Sequence, residues 1–290
     1  MSQDSISTLP VVTARGRSFH HAAPPVLHHA AAEFTSGFEE GTLRFFDAVL
    51  PRCDRMVDFG AYVGFTALYA ATFGLDVLAF EPSPPNFALL EANIAANPAL
   101  APRVRPFRHG LGASDQDVVL YAKAAADSGS SIFRDIERGG VVSGRAAATI
   151  HLRDAAAVLR EAGVDRRTLV KIDIEGGEYQ VLPAIAALLA ERKPWLHVSF
   201  HPFNLVVADD PYRTALLRLR ASLEAAEALA CYRFMHLYED GTWTAVGPAE
   251  RMDVLRQYLL KPKPVPRIGT PQYGFIDAVA FSDDPLPAGA

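Results

Sequence analysis

One stretch constrains this chain more than any other: Arg55 to Pro82 reads as strand, glycine turn, helix, strand and acid. Met56 to Phe59 is a short apolar run ending in Asp58-Phe59-Gly60, and Ala61-Tyr62-Val63-Gly64 carries it into an apolar helical pattern from Phe65 to Phe73. Gly74 closes that helix, and Asp76 to Phe80 is a second β-type run that stops at Glu81-Pro82. Together these pieces make one βαβ unit.

A glycine turn at the end of the first strand lets a ligand approach the backbone, where the amide groups opening the helix lack partners. Parallel neighbouring strands end on the same edge, so Glu81 at the tip of the second strand borders the same crevice and suits the two hydroxyls of a ribose. It lies 23 positions after Asp58, against about 20 for the acid of a nucleotide clamp. The turn is Gly60-x-x-x-Gly64 rather than G-x-G-x-x-G, and Asp58 two places earlier is a poor neighbour for a pyrophosphate. A carboxylate there suits an amine, which S-adenosylmethionine carries. Three readings stay open on the motif alone: adenosylmethionine, a dinucleotide of the NAD type, or a glycine that only lets helix and sheet approach.

Length and charge narrow the class. A chain of 290 residues, half of them hydrophobic, has enough apolar material for one large α/β domain or two small ones. A net charge of −5 with scattered basic residues excludes the basic stripe of a nucleic-acid binder. Cys53 and Cys231 stand far apart and suggest packing rather than a zinc site or disulfide. No run approaches the ~18 apolar residues of a membrane span, and the start has no basic-then-apolar leader, so a soluble cytoplasmic protein is expected.

Residues 1–35, with His20-His21 and His28-His29, show no sustained periodicity and read as an irregular lead-in; the histidines lack accompanying acids or cysteines at ligand spacing. Residues 36–284 read as a single domain and 285–290 as a disordered tail. A helix is expected over Phe38–Leu50, another over Phe87–Asn97, and strands at Val104–Phe107 and Val118–Tyr121. From 123 to 148 the pattern dissolves into small and polar residues, the profile of a lid or substrate loop. Leu152–Ala162 is expected to be helical. Leu169–Ile174 is a buried strand bearing Lys171 and Asp173, followed by a helix at Tyr179–Glu191, a strand at Trp195–Phe200 and a long helix at Tyr212–Leu229. The closing segments at Tyr232–Tyr238, Trp243–Val246 and Phe275–Phe281 read as strands. Such alternation predicts a doubly wound, mostly parallel sheet with an antiparallel edge.

The turn at Asp58–Gly64, the pair Glu81-Pro82, the serines of 128–131 and the block Lys171-Ile172-Asp173-Ile174-Glu175-Gly176-Gly177-Glu178 follow one another in an order that resembles the FkbM-type methyltransferases, over roughly residues 56–202. The resemblance implies a seven-stranded, Rossmann-like class I methyltransferase fold. It also implies S-adenosyl-L-methionine as cofactor and O-methylation of a hydroxyl on a sugar, polyketide or similar small metabolite. Cofactor contacts are then expected from Asp58, Gly60, Ala61, Tyr62 and Gly64 at the turn, from Glu81, Pro82 and Ser83 after the second strand, and from Gly110 and Leu111 after the third. Tyr62 departs from the family, whose turn usually carries Asn there.

Methyl transfer is an in-line displacement, and the protein's task is to align the acceptor oxygen and take or shield its proton. Asp173, Glu175 and His201 sit at strand ends that should open on the rim bearing Glu81, with Asp173 or His201 as the base. The same three could hold magnesium, the less favoured reading. Ser130 and Ser131 are candidates for the acceptor side, and Glu178 for a structural place at a helix start. The expected partner is a small-molecule acceptor, with neither nucleic acid nor membrane.

Overall fold

Period-two alternation along five parallel strands divides the apolar side chains between two faces of one sheet. The structure is a computed structural model and describes residues 9–22, 25–37, 39–123, 127–133, 137–138, 141–142, 145–207, 210–239, 241–260, 262–264, 271–273 and 276–287. Its strands are β1 Val11–Ala14, β2 Arg17–His20, β3 Arg55–Phe59, β4 Asp76–Phe80, β5 Val104–Phe107, β6 Gly110–Gly112, β7 Gln116–Ala122, β8 Glu137–Arg138, β9 Val141–Val142, β10 Arg145–Asp154, β11 Thr168–Ile172, β12 Trp195–Phe200, β13 Phe234–Glu239, β14 Thr242–Val246, β15 Pro262–Pro264, β16 Pro271–Tyr273 and β17 Ile276–Ser282. The helices are α1 Pro25–Thr35, α2 Glu40–Val49, α3 Phe65–Ala71, α4 Pro84–Ala95, α5 Ala155–Glu161, α6 Glu178–Arg192, α7 Pro211–Leu229 and α8 Arg251–Leu260.

The main sheet has the order β14-β13-β17-β12-β11-β3-β4-β5. Strands β5, β4, β3, β11 and β12 are parallel neighbours, β17 runs antiparallel between β12 and β13, and β14 pairs antiparallel with β13. The chain winds one way from β3 to β5 and the other way from β11 to β12, so the crevice of a doubly wound sheet opens at the ends of β3 and β11. Val57, Val170 and Leu196 enter one core with α5, α6 and α7. Met56, Leu169 and Trp195, one place earlier on the same strands, enter the other core with α1 to α4.

Several expectations are corrected here. The sheet has eight strands rather than seven, and its antiparallel β17 is internal; the edge is taken by β14, added by a hairpin turn after β13. Residues 1–35 are not irregular throughout: β1 and β2 form a hairpin whose two-residue turn, Arg15-Gly16, has φ of 49° and 77°. That is the geometry for which Asn-Gly is the usual sign, and Arg-Gly hides it. Asn97 bonds both the amide and the carbonyl of His20, and Asn93 accepts from the amide of Ala22, so this segment is strapped to α4. The helix expected from Leu152 begins only at Ala155, capped by Asp154, whose carboxylate accepts from the Ala157 amide at 3.0 Å. Before it, β10 pairs along β7 from Arg145 to Leu152, so the far end of the expected loop is strand. Residues 124–126, 134–136, 139–140 and 143–144 of that loop lie outside the described residues, as do 288–290 of the expected tail. Strands β6, β10 and β7 make a separate three-stranded sheet beside the main one.

Among the described residues no helix is long and apolar enough to cross a membrane.

At Gly60 the backbone has φ +83°, and a Cβ would lie 1.9 Å from the carbonyl oxygen of Asp173. Gly74 has φ +86° but nothing within 4 Å of the same position. The pair separates conformational strain from collision. Gly74→Ala is expected to lower unfolding free energy by about 1–2 kcal/mol, and Gly60→Ala by at least about 3 kcal/mol. Urea midpoints of the two variants measure the difference.

Candidate active site

The ends of β3, β4 and β11 meet around a cleft that opens to solvent. Gly60, Tyr62, Glu81, Pro82, Gly110, Leu111, Ser130, Asp173 and Glu175, all proposed from the sequence, line it. Gly60 and Glu81 share one rim because the amides of Gly60 and Ala61 both donate to the carbonyl of Phe80 at 3.0 Å, tying the turn to the strand that carries Glu81.

Glu81 is buried, and its carboxylate accepts from the amides of Tyr62 and Ser83, each at 2.9 Å, and from Asn86 Nδ2 at 3.4 Å. Burial pushes its pKa up, the amide donors pull against it, and the result is about 7. Tyr62 delivers its amide from the left-handed region, φ 52°. Asn enters that region far more readily than an aromatic residue, which gives a backbone reason for the Asn usual in the resembled family.

Asp58, expected beside the ligand, does not line the cleft. Its register neighbours decide this: Lys171 on β11 stands directly opposite Asp58 on β3, and His197 on β12 opposite Lys171. The carboxylate is fully buried, with Oδ1 3.2 Å from Lys171 Nζ and Oδ2 accepting from the Thr66 hydroxyl at 2.9 Å. Lys171 Nζ also lies 3.5 Å from Asp173 Oδ2. Burial alone lowers the lysine pKa, but Asp58 and Asp173 outweigh it and keep the ammonium charged. Burial, then the charge of Lys171, drive His197 down to about 3, so that ring is neutral. The sequence places Lys171 and Asp173 on one side of their strand, and they are indeed paired.

Asp173 keeps 28 % side-chain exposure to the cleft. Burial raises its pKa, yet the charge of Lys171, and then that of His201, hold it below the ordinary value, so it is a carboxylate. Glu175 lines the cleft at φ 50°, followed by Gly176 and Gly177. Its strained backbone is fixed through its carbonyl, which accepts from the Ser131 hydroxyl at 2.6 Å and from Asn204 Nδ2 at 2.8 Å. Asn204 also reaches Glu175 Oε2 at 2.9 Å.

His201 sits behind this rim rather than on it. Its Nε2 lies 3.6 Å from Asp173 and 3.9 Å from Glu175, and its Nδ1 3.3 Å from Glu178. Burial lowers its pKa, but Glu175, Glu178 and Asp173 reverse that and carry it to about 10, so at neutral pH it is an imidazolium. A group already protonated cannot take a proton, and the expectation of His201 as base is replaced by that of a cation bracing the acids. Glu178 has the structural place expected: it is fully buried and accepts from the amides of Gly176 at 2.9 Å and His201 at 2.5 Å. Among the described residues no group of three or more such side chains is disposed to hold a metal.

The remaining proposed residues support the cleft without facing it. Ala61 is buried beneath the turn, Ser83 gives its amide to Glu81, Gly64 opens α3 against Leu90, and Ser131 anchors Glu175. Residues the sequence reading passed over complete the wall: Asn86 from α4, Ile174, and Leu120, Ile132, Ile150 and Leu152 from the small sheet and its neighbour. A repeated aliphatic alternation across β7 and β10 is the signal that would find the last group. Three carboxylates, Glu81, Asp173 and Glu175, therefore face the cleft, and among its described lining residues there is no basic side chain.

Comparison with known proteins identifies the family. The profile of the methyltransferase FkbM domain matches residues 58–225, more than half of the chain. Methyltransferase sdnD of Sordaria araneosa is 29 % identical over 168 residues, covering 48 % of this chain and 62 % of that protein. Hexuronic acid methyltransferase AglP of Haloferax volcanii is 27 % identical over 151 residues, covering 52 % of this chain and 58 % of its own length. The chain thus spans about six-tenths of the length of these relatives. Among solved structures, methyltransferase FkbM from Methylobacillus flagellatus superposes with a TM-score of 0.44 at 17 % identity, covering 79 % of this chain and 44 % of that one. By the extent of the domain match, the chain belongs to the FkbM methyltransferase family.

Proposed function

We propose that the chain is an S-adenosylmethionine-dependent methyltransferase that methylates a hydroxyl of a small metabolite such as a sugar or polyketide. The observation that carries this is the acidic cleft: Glu81, Asp173 and Glu175 converge where the glycine turn exposes backbone, with no basic lining side chain among the described residues. Such a rim attracts a cation carrying a ribose and opposes a pyrophosphate. The residues fit adenosylmethionine, because Glu81 is a buried acceptor whose Oε1 takes the Ser83 amide and Asn86 Nδ2 while Oε2 takes only the Tyr62 amide, leaving Oε2 open to a sugar hydroxyl. That weighs against the NAD-type reading.

When bound, adenosylmethionine supplies an electrophilic methyl group on a sulfonium. Glu81 would hold the ribose and the turn at Gly60–Tyr62 the chain beyond it, while Pro82, Gly110 and Leu111 supply the flat apolar surround. Asp173 is the cleft carboxylate placed to orient an acceptor hydroxyl and receive its proton. Lys171 and the His201 imidazolium fix its rotamer from behind. Glu175 adds negative potential on the same rim. The aliphatic side chains of Leu120, Ile150 and Leu152 exclude water from that end.

Two measurements follow. Glu81 is partly protonated near neutrality, and ribose hydroxyls donate to its ionised form. Its contribution to binding is therefore lost as pH falls through about 7. Calorimetric affinity for S-adenosylhomocysteine is expected to rise about tenfold between about pH 6 and about pH 8, while Glu81→Gln binds about tenfold or more weakly at the higher pH and loses that slope. Folding has the opposite sign: a raised acid pKa favours the folded chain at low pH, and this stability declines between the ordinary glutamate value and about 7.

Incubation with labelled adenosylmethionine and a panel of hydroxylated metabolites should transfer label, and Asp173→Asn should cut the rate about a hundredfold or more with homocysteine-form affinity nearly unchanged. Undiminished transfer by Asp173→Asn removes that residue from the chemistry. A thermal shift with NADH but none with S-adenosylhomocysteine overturns the cofactor assignment.

A further inference from the structure

A short strap joins the two sides of the cleft. Residues 127–133 begin beside Asn86 of α4 and end against Glu175 and Gly176, and Ser128, Ser130 and Ile132 line the cleft on the way. The far end is fastened to the frame. Ser131 and Tyr121 of β7 exchange two backbone hydrogen bonds, at 2.8 and 2.9 Å, and the Ser131 hydroxyl donates to the Glu175 carbonyl at 2.6 Å. The Phe133 ring lies against Gly176, where a Cβ would be 3.0 Å from it, and Ile132 packs on the small core of Leu120, Ile150 and Leu152. The near end takes its shape from Asp127. Its carboxylate accepts from the amides of Lys123 and Gly129 at 2.8 and 3.0 Å, and its carbonyl from the Ser130 hydroxyl at 2.8 Å.

One side chain ties that near end to Glu81. Asn86 Nδ2 donates to the Asp127 carbonyl at 3.1 Å and to Glu81 Oε1 at 3.4 Å. Both partners are acceptors, which decides which end of the amide is nitrogen. Asn86 lines the cleft at 2 % exposure, and its Oδ1 is buried with no hydrogen-bond partner among the described residues. An amide oxygen buried without a partner carries a desolvation cost that an N–H or O–H of a ligand removes. With the strap in place that cost is present over an empty cleft and absent over a filled one. A ligand therefore favours the fastened strap through a differential interaction, which is what any ligand-driven shift requires.

We propose that Asn86 is a positioning residue through which the bound methyl donor fastens the strap 127–133 and so completes the acceptor side of the site. This rests on reading the cleft as the adenosylmethionine site. A nucleoside held by Glu81 lies next to Asn86, and one of its N–H or O–H groups meets Oδ1. Fastening then sets Ile132 into the wall and the Ser131 hydroxyl onto the Glu175 carbonyl. The left-handed link that carries Glu175, φ 50°, is thereby fixed only over a bound methyl donor. The acceptor binds second, to a site that its co-substrate has finished.

Hydrogen exchange of the full chain with and without saturating S-adenosylhomocysteine tests this. The reporters are the amides of Tyr121 and Ser131, which bond to each other's carbonyls and lie outside the cleft lining. Both are expected to exchange about tenfold or more slowly when the ligand is bound. In Asn86→Ala, at ligand concentrations that calorimetry shows to be saturating, that slowing should disappear. Equal exchange with and without bound ligand in the wild-type chain overturns the proposal, and this arm stands even where the substitution unfolds the protein. Slowing that persists undiminished in Asn86→Ala also overturns it, and leaves Asn86 a merely structural residue. A wild-type chain that fails to bind S-adenosylhomocysteine at all overturns the cofactor reading and this inference with it, whereas binding without slowing overturns this inference alone.

Discussion

The site depends on one buried ammonium. Lys171 lies in the middle of the sheet with Asp58 on one side and Asp173 on the other, at 3.2 and 3.5 Å. Burying a lone charge there costs several kcal/mol, and the attraction of two carboxylates offsets it. The arrangement is asymmetric in its consequence. Asp58 is sealed inside and has Thr66 as a second partner, whereas Asp173 remains open to the cleft. The lysine therefore converts an interior charge balance into a carboxylate held ionised at a chosen point on the rim. Burial, reinforced by the same charge, keeps His197 neutral.

A second tier stands behind the first. His201, Glu175, Glu178 and Asn204 come from the segments after β11 and β12, and their contacts converge on the short link from Asp173 to Gly177. That link has two consecutive left-handed residues, Glu175 and Gly176. Hydrogen bonds to the carbonyl of Glu175 and to the amide of Gly176 hold it there, which is how a strained backbone persists beside a reactive centre. The imidazolium of His201 gathers three acids that would otherwise repel one another across the rim.

Much of this was legible beforehand. The βαβ unit around Gly60, the common rim of Gly60 and Glu81, and the role of Asp173 as a strand-end acid follow from local patterns with a strict period and from the rule that parallel strands end together. What stayed hidden depended on pairing across the sheet. Asp58 sits two places from Gly60 in sequence, which puts it beside the turn, but the register with Lys171 turns its carboxylate inward. The protonation of His201 depends on three acids from other segments, invisible to any spacing rule. The β1–β2 hairpin escaped because Arg-Gly carries the turn that Asn-Gly advertises, and β10 escaped because alanine and threonine at its start have neither strong period.

The wall opposite Glu81 belongs to the small sheet β6-β10-β7, which shares no strand with the main one. Leu120, Ile150 and Leu152 form a modest core of their own there. Leu120 and Ile150 belong to neither large core, whereas Leu111 of β6 packs into one of them, so the freedom to change in size is confined to the β7 and β10 side of that wall. The fold thus separates an inflexible half, where even a methyl group at Gly60 has no room, from a more permissive wall whose aliphatic side chains pack mainly on one another.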